Sequence, residues 1–88
     1  MKTSKQLERY FKGVANHWRI DILILVEKNE GITVAGIADA LDANFKTISQ
    51  HTRTLVHAGL LNKAYQSQAV VHSLSPYGKR FLKFMKGF

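Results

Sequence analysis

A mostly helical α+β fold, with one β-hairpin set before the last helix, is what this sequence predicts, and three observations predict it. Residues 33–60 (TVAGIADALDANFKTISQHTRTLVHAGL) hold two short amphipathic helical patterns separated by a brief turn. After Gly59 the pattern changes to two short strand-like runs. Ser75-Pro76 then supplies an N-cap followed by proline at the first helical position, the start of a last helix.

Taken in order, Thr3 and Gln6 form a capping-box pair for a first helix whose Leu7, Tyr10, Phe11 and Val14 share one apolar stripe. Asn16 is placed to cap a second helix, about 17–28. Its Trp18, Ile20, Ile22, Leu23, Ile24, Leu25 and Val26 are apolar on nearly every side, so it should run through the middle of the fold. Asn29 to Gly31 breaks it. Thr33 caps a third helix in which Val34, Ile37, Ala38 and Leu41 fall at i, i+3, i+4 and i+7. Asp42 and Ala43 leave room for only a brief turn before Asn44, which opens a fourth helix running to about Ala58, with Gly59 placed to end it. This is helix-turn-helix spacing. Leu60–Tyr65 and Ala69–Leu74 read as two strands joined across Gln66, Ser67 and Gln68, a β-hairpin or wing. Four helices, a hairpin and a helix, in that order, make a winged helix-turn-helix with an additional helix at each end. Residues 1–88 are long enough for one domain with a single modest core.

On a wheel of about 100° per residue, the fourth helix places Ile48, Thr52, Leu55 and Val56 on one side, facing the core. Lys46, Gln50, Arg53 and His57 fall opposite, flanked by Ser49, Thr47 and Thr54, with no carboxylate on the helix. Amide, hydroxyl and guanidinium groups can read base edges in a major groove, and lysine and arginine satisfy phosphates. Charge is partitioned the same way. All six acidic residues (Glu8, Asp21, Glu27, Glu30, Asp39, Asp42) precede position 43, where six Lys and Arg balance them. The net +7 therefore resides in residues 43–88, on Lys46, Arg53, Lys63, Lys79, Arg80, Lys83 and Lys86. A persistent positive field around such a helix selects an anionic partner, and nucleic acid is the natural one, with double-stranded DNA favoured over double-stranded RNA by the groove-reading side chains.

Other classes are poorly served. No apolar run approaches the roughly 18 residues of a membrane span, and the amino terminus lacks a signal-peptide core, so a cytoplasmic protein without membrane attachment is expected. With no cysteine there is no disulfide framework and no thiolate metal site. His51 and His57 lie six apart, about 120° around their helix, and cannot chelate one ion from one face. His51 reads as a structural residue beside the core and His57 as a solvent or phosphate contact, while a histidine metal site would need His17 or His72 to converge from elsewhere. No metal, cofactor or catalytic set is expected, and without a paired-carboxylate pattern or a glycine-rich phosphate loop the chain does not read as an enzyme.

The last helix carries Tyr77, Phe81, Leu82, Phe84, Met85 and Phe88 at helical spacing, and the first adds Tyr10 and Phe11. A domain with an apolar central helix has little interior left for these rings. Surplus apolar surface on both terminal helices points to a homodimer seam through Leu7, Tyr10, Phe11, Tyr77, Phe81, Phe84, Met85 and Phe88. Two reading helices related by a two-fold axis would then enter successive major grooves about 34 Å apart and read a pseudo-palindromic site.

Most of the chain resembles the ArsR-type winged-helix transcriptional regulators. The resemblance is carried by Thr47-Ile48-Ser49-Gln50-His51, followed by Arg53, Leu55 and Ala58-Gly59-Leu60, and by Arg19-Ile20-Asp21-Ile22-Leu23 and Leu74-Ser75-Pro76. It implies a dimeric DNA-binding repressor whose first and last helices form the interface, with Phe45, Lys46, Ser49 and Gln50 in the groove. The wheel supports three of these four. Phe45 projects nearer the buried side, where it would pack the turn or touch a thymine methyl. The candidate DNA contacts are thus Asn44, Phe45, Lys46, Thr47, Ser49, Gln50 and Arg53 from the helix, with Lys63 from the wing. Thr52 stands where the family usually has leucine, Asp42 where the turn usually has glycine, and the wing tip is uncharged where basic residues are common. Metal sites of relatives, built from cysteines on the third helix or His and carboxylates on the last, have no counterpart here. Alternative readings are a winged-helix protein-interaction module and a sequence-neutral nucleic-acid binder, because fold does not fix function.

Overall fold

A computed structural model describes residues 1–88. The elements run α1 (Ser4–Val14), α2 (His17–Lys28), α3 (Val34–Ala40), α4 (Phe45–His57), β1 (Leu61–Gln66), β2 (Ala69–Leu74) and α5 (Pro76–Lys86), in the order the sequence predicts. Each helix starts where a side chain takes up an otherwise unpaired amide. The Thr3 amide donates to Gln6 Oε1 at 2.8 Å and the Gln6 amide donates back to Thr3 Oγ1 at 3.2 Å. Asn16 accepts from Trp18 N, Thr33 from Gly36 N, Asn44 from Thr47 N and Ser75 from Gly78 N, all between 2.9 and 3.2 Å. Each such cap stabilises its helix by about 1 kcal/mol.

The core forms around α2, which touches α1, α3, α4, β2 and α5. Ile22, Leu23 and Val26 are buried against Ile37 and Ala38 of α3, Ile48 and Leu55 of α4, Leu60, Leu61 and Leu74 at the hairpin base, and Leu82 of α5. The expected central position holds for that face. On the other face Ile24 keeps 37% of its surface exposed beside exposed Asp21, so α2 is not covered all round. Thr52 is buried among these apolar groups because its hydroxyl donates to Ile48 O at 2.8 Å, which removes the cost of a buried unpaired oxygen.

β1 and β2 pair antiparallel from Leu61↔Leu74 to Gln66↔Ala69. The predicted three-residue connection is in fact the two-residue turn Ser67–Gln68, with Ser67 at φ +57 as hairpin turns of the primed types require. β1 begins one residue later than predicted, at Leu61. A contact not predicted by the sequence joins the residues before α3 to the free edge of β2. The His72 amide donates to Ile32 O at 3.0 Å and the Gly31 amide to His72 O at 2.8 Å, an isolated antiparallel bridge. Both edges of β2 are thereby paired, one with β1 and the other, at His72, with the helical body, an anchor that an isolated hairpin would lack.

α5 enters against the chain that leaves α4. A Cβ at Gly78 would meet Leu60 O at 2.1 Å and Leu60 C at 3.2 Å, both backbone atoms that a side-chain rotation cannot clear. Gly78→Ala is therefore expected to lower stability by about 1–3 kcal/mol or more, the usual cost of overpacking. Urea unfolding followed by far-UV circular dichroism checks this, and an unchanged midpoint would show that α5 shifts freely on its seat.

Candidate nucleic-acid interface

The turn between α3 and α4 is short because it is closed by hydrogen bonds at both sides. The Ala43 amide donates to Ala38 O at 2.9 Å, and Asn44 caps α4. Asp42 sits at φ +50, the left-handed region that Asp tolerates better than most side chains. A glycine-like conformation is thus kept at the position where the resemblance calls for glycine.

From that turn α4 presents Phe45, Lys46, Thr47, Gln50, Arg53 and His57 as exposed side chains, with Ser49 and Thr54 half-buried. The Thr54 hydroxyl donates to Gln50 O at 3.1 Å. Lys46, Ser49, Gln50 and Arg53 have no side-chain hydrogen bond or ion pair within the chain. Phe45, Lys46, Ser49, Gln50 and Arg53 line one shallow depression. The expectation that Phe45 lies toward the buried side is corrected here: it is 57% exposed and takes no part in the core cluster. Phe45 is the first residue of α4, and helical side chains lean toward the amino end, so its ring extends past the helix where no earlier turn can cover it. Asn44, at the same end, spends its carbonyl oxygen on the cap.

The hairpin lies beside this face. Lys63, exposed on β1, lines a second depression together with Ser49, Arg53 and His57 of α4 and with Val34, Val56, Val70 and His72. The fold therefore brings Lys63 and Arg53 to the border of one depression. His72 is new to this neighbourhood: it is buried, and its Nδ1 donates to Ile32 O at 3.1 Å. Nothing in the spacing of His57 and His72 announces that they share a depression, which depends on the wing folding back.

On another face the stripes of α1 and α5 merge. Ring centroids of Tyr10 and Tyr77 lie 4.9 Å apart, those of Phe11 and Phe81 5.2 Å, and those of Phe84 and Phe88 5.3 Å. Leu7, Tyr10, Tyr77 and Phe81 are half-buried, while Phe11, Phe84 and Phe88 are 53%, 59% and 96% exposed. Met85 is half-buried and packs against the core of its own chain. Lys2 Nζ stands 4.9 Å from the Tyr77 ring and 5.3 Å from that of Tyr10. No helix is long and apolar enough to cross a membrane.

The model of the family described as "Bacterial regulatory protein, arsR family" matches residues 17–63, which span α2 to the start of β1. The chain belongs to the ArsR family. Family and fold are those of DNA-binding transcriptional regulators of the winged helix-turn-helix type rather than of enzymes. No curated protein matches the chain by sequence. Among solved structures, reduced HlyU from Vibrio cholerae is 28% identical, with a TM-score of 0.82 over 93% of this chain and 86% of that one. Mb0332 from Mycobacterium bovis, a possible ArsR-family regulator described as a homodimeric winged helix-turn-helix DNA-binding domain, is 25% identical, with a TM-score of 0.84 over 93% and 76%. The transcriptional repressor PagR of Bacillus anthracis, at 21% identity and a TM-score of 0.83 over 92% and 93%, shares the fold.

In this ArsR-family chain one guanidinium links three elements. Arg19 of α2 donates through Nε to Gly13 O at 2.7 Å, through Nη2 to Lys12 O at 3.2 Å, and through Nη1 to His51 Nδ1 of α4 at 3.2 Å. Gly13 also lies against the end of α4, where a Cβ on it would come 2.5 Å from Ala58 Cβ. Arg19 has only donors, so His51 Nδ1 accepts and the ring is neutral. Burial lowers the His51 pKa, and the Arg19 charge and then His17 lower it further. The structural role expected for His51 is what this bond provides. Because the unfolded chain binds this proton more tightly, at the ordinary value of 6.5, the contribution is complete above pH 6.5 and is lost as pH falls through the lower folded value. His51→Gln should flatten that part of the pH dependence, as read from urea midpoints on either side of pH 6.5; parallel profiles for both proteins would contradict it.

Proposed function

We propose that this ArsR-family chain acts in the cytoplasm as a repressor that binds a pseudo-palindromic DNA operator as a homodimer. The carrying observation is the exposed, carboxylate-free face of α4, on which Lys46, Ser49, Gln50 and Arg53 have no partner of their own. Ser49 and Gln50 are the base-edge readers, with Gln50 able to make a bidentate contact to adenine. Lys46, Arg53 and Lys63 take phosphates, and Asn44 and Thr47 flank the entering end of the helix. Phe45 completes the set.

The merged α1/α5 face is where a second copy docks, through Leu7, Tyr10, Phe11, Tyr77, Phe81, Phe84, Met85 and Phe88. Contiguous aromatic surface of this kind favours pairing with an identical patch across a two-fold axis. The homodimeric state given for Mb0332 supports the same reading. Repression is the sense of regulation that the ArsR resemblance implies.

The deciding experiment is a fluorescence-anisotropy titration, at physiological salt, of duplex DNA from upstream of the protein's own gene against a scrambled duplex of equal length. A preference of about a thousandfold or more is expected of a specific regulator. Equal, salt-sensitive binding would indicate a sequence-neutral role, and binding to neither would turn attention to protein partners. Gln50→Ala should relax base preference by about 1–3 kcal/mol, whereas Lys46→Ala and Arg53→Ala should weaken all sequences alike and reduce the salt slope by about one. Equal losses on every sequence for all three variants would sink these roles. Phe84→Glu should convert the dimer to a monomer in sedimentation velocity and lower operator affinity; a dimer that persists would place the seam elsewhere.

A further inference from the structure

Phe45 is the one large apolar side chain on a face whose other members are polar or cationic. The residue is 57% exposed, it joins neither the core cluster nor any aromatic pair, and it is remote in sequence from the α1/α5 patch. It shares its depression with Lys46, Ser49, Gln50 and Arg53. An occupant of that depression has to offer negative charge to Lys46 and Arg53, hydrogen-bonding edges to Ser49 and Gln50, and an apolar spot to Phe45. A duplex major groove meets all three conditions, and the apolar group that its base edges carry is the C5 methyl of thymine.

We propose that Phe45 is a specificity-determining residue that selects thymine by its C5 methyl group, at a position beside the base pair contacted by Gln50. The inference rests on the DNA-reading role proposed above and adds to it the identity of one base. The ring projects from the amino end of α4, so it covers the base next to the one below Gln50, a turn further along the helix. Burying one methyl group against a ring corresponds to about a fourfold change in affinity. A cytosine at that position lacks the methyl and is disfavoured by at least that factor.

The test separates this inference from the reading beneath it. The full chain is used to enrich duplexes from a random-sequence pool, and each thymine of the enriched duplex is replaced in turn by uracil, which removes only the methyl. Binding of the wild type, Phe45→Ala and Gln50→Ala is then measured by anisotropy. Expected is one thymine per half-site whose replacement weakens the wild type about fourfold, with Phe45→Ala binding the thymine and uracil duplexes equally and Gln50→Ala retaining the difference. If an enriched sequence is found and Gln50→Ala relaxes it, yet no uracil replacement matters, or the penalty persists in Phe45→Ala, the thymine inference falls alone. If no sequence is enriched, the DNA-reading role and this inference fall together. Phe45 lies outside the core, so circular dichroism of Phe45→Ala should match the wild type; a lost fold would be answered by Phe45→Leu, which keeps an apolar contact and should retain part of the thymine preference.

Discussion

Two consecutive carbonyls at the exit of α4, those of Gly59 and Leu60, are held by the first turn of α5. Ser75 Oγ donates to Gly59 O at 2.6 Å while accepting from Gly78 N at 3.0 Å, and the Ser75 amide donates to Leu60 O at 3.2 Å. Gly59 turns the chain at φ +81, and Leu60 beside it is wholly buried. The hairpin closes over this junction, because its first rung, Leu61↔Leu74, joins the residue after Leu60 to the residue before Ser75. The end of α4, the base of the wing and the start of α5 are thus a single construction. No buried side-chain nitrogen or oxygen there lacks a hydrogen-bond partner, and the three elements share the same few groups.

What this junction fixes is the relation between α4 and the wing. Arg53 and Lys63 border one depression only because β1 turns back alongside α4, and the bridge between Ile32 and His72 keeps β2 from swinging away. Lys46, Arg53 and Lys63 therefore occupy defined places around a helix that carries no carboxylate, whereas Lys86 of α5 is paired with Glu27 of α2 at 2.6 Å. A positive field of that kind attracts polyanions from a distance.

Much of this was legible in the sequence because it is local. Thr3, Asn16, Thr33, Asn44 and Ser75 each cap a helix through an amide two or three residues ahead, and such geometry follows from residue type and spacing. The buried side of α4 was likewise visible as a stripe of Ile48, Thr52 and Leu55. A helical wheel places Phe45 nearer the buried side because it treats every position as if a full turn preceded it, which fails at the first residue. The exact length of the hairpin turn is hidden in the sequence because Ser67 is not a glycine and gives little sign of its positive φ. The bridge between Ile32 and His72 and the bond between Arg19 and His51 span 40 and 32 residues. No periodicity encodes them, since they exist only once the helices have packed.

Arg19 has a mechanical consequence. The carbonyl end of α1 and the middle of α4 are gripped by the same planar, rigid group, and the Gly13–Ala58 contact leaves no slack between the two helices. α1 and α4 therefore behave as arms of one stiff bracket. In the homodimer proposed above, joined along α1 and α5, that bracket would carry any shift at the seam to α4, so the span between the two copies of α4 would follow the seam for as long as the guanidinium holds.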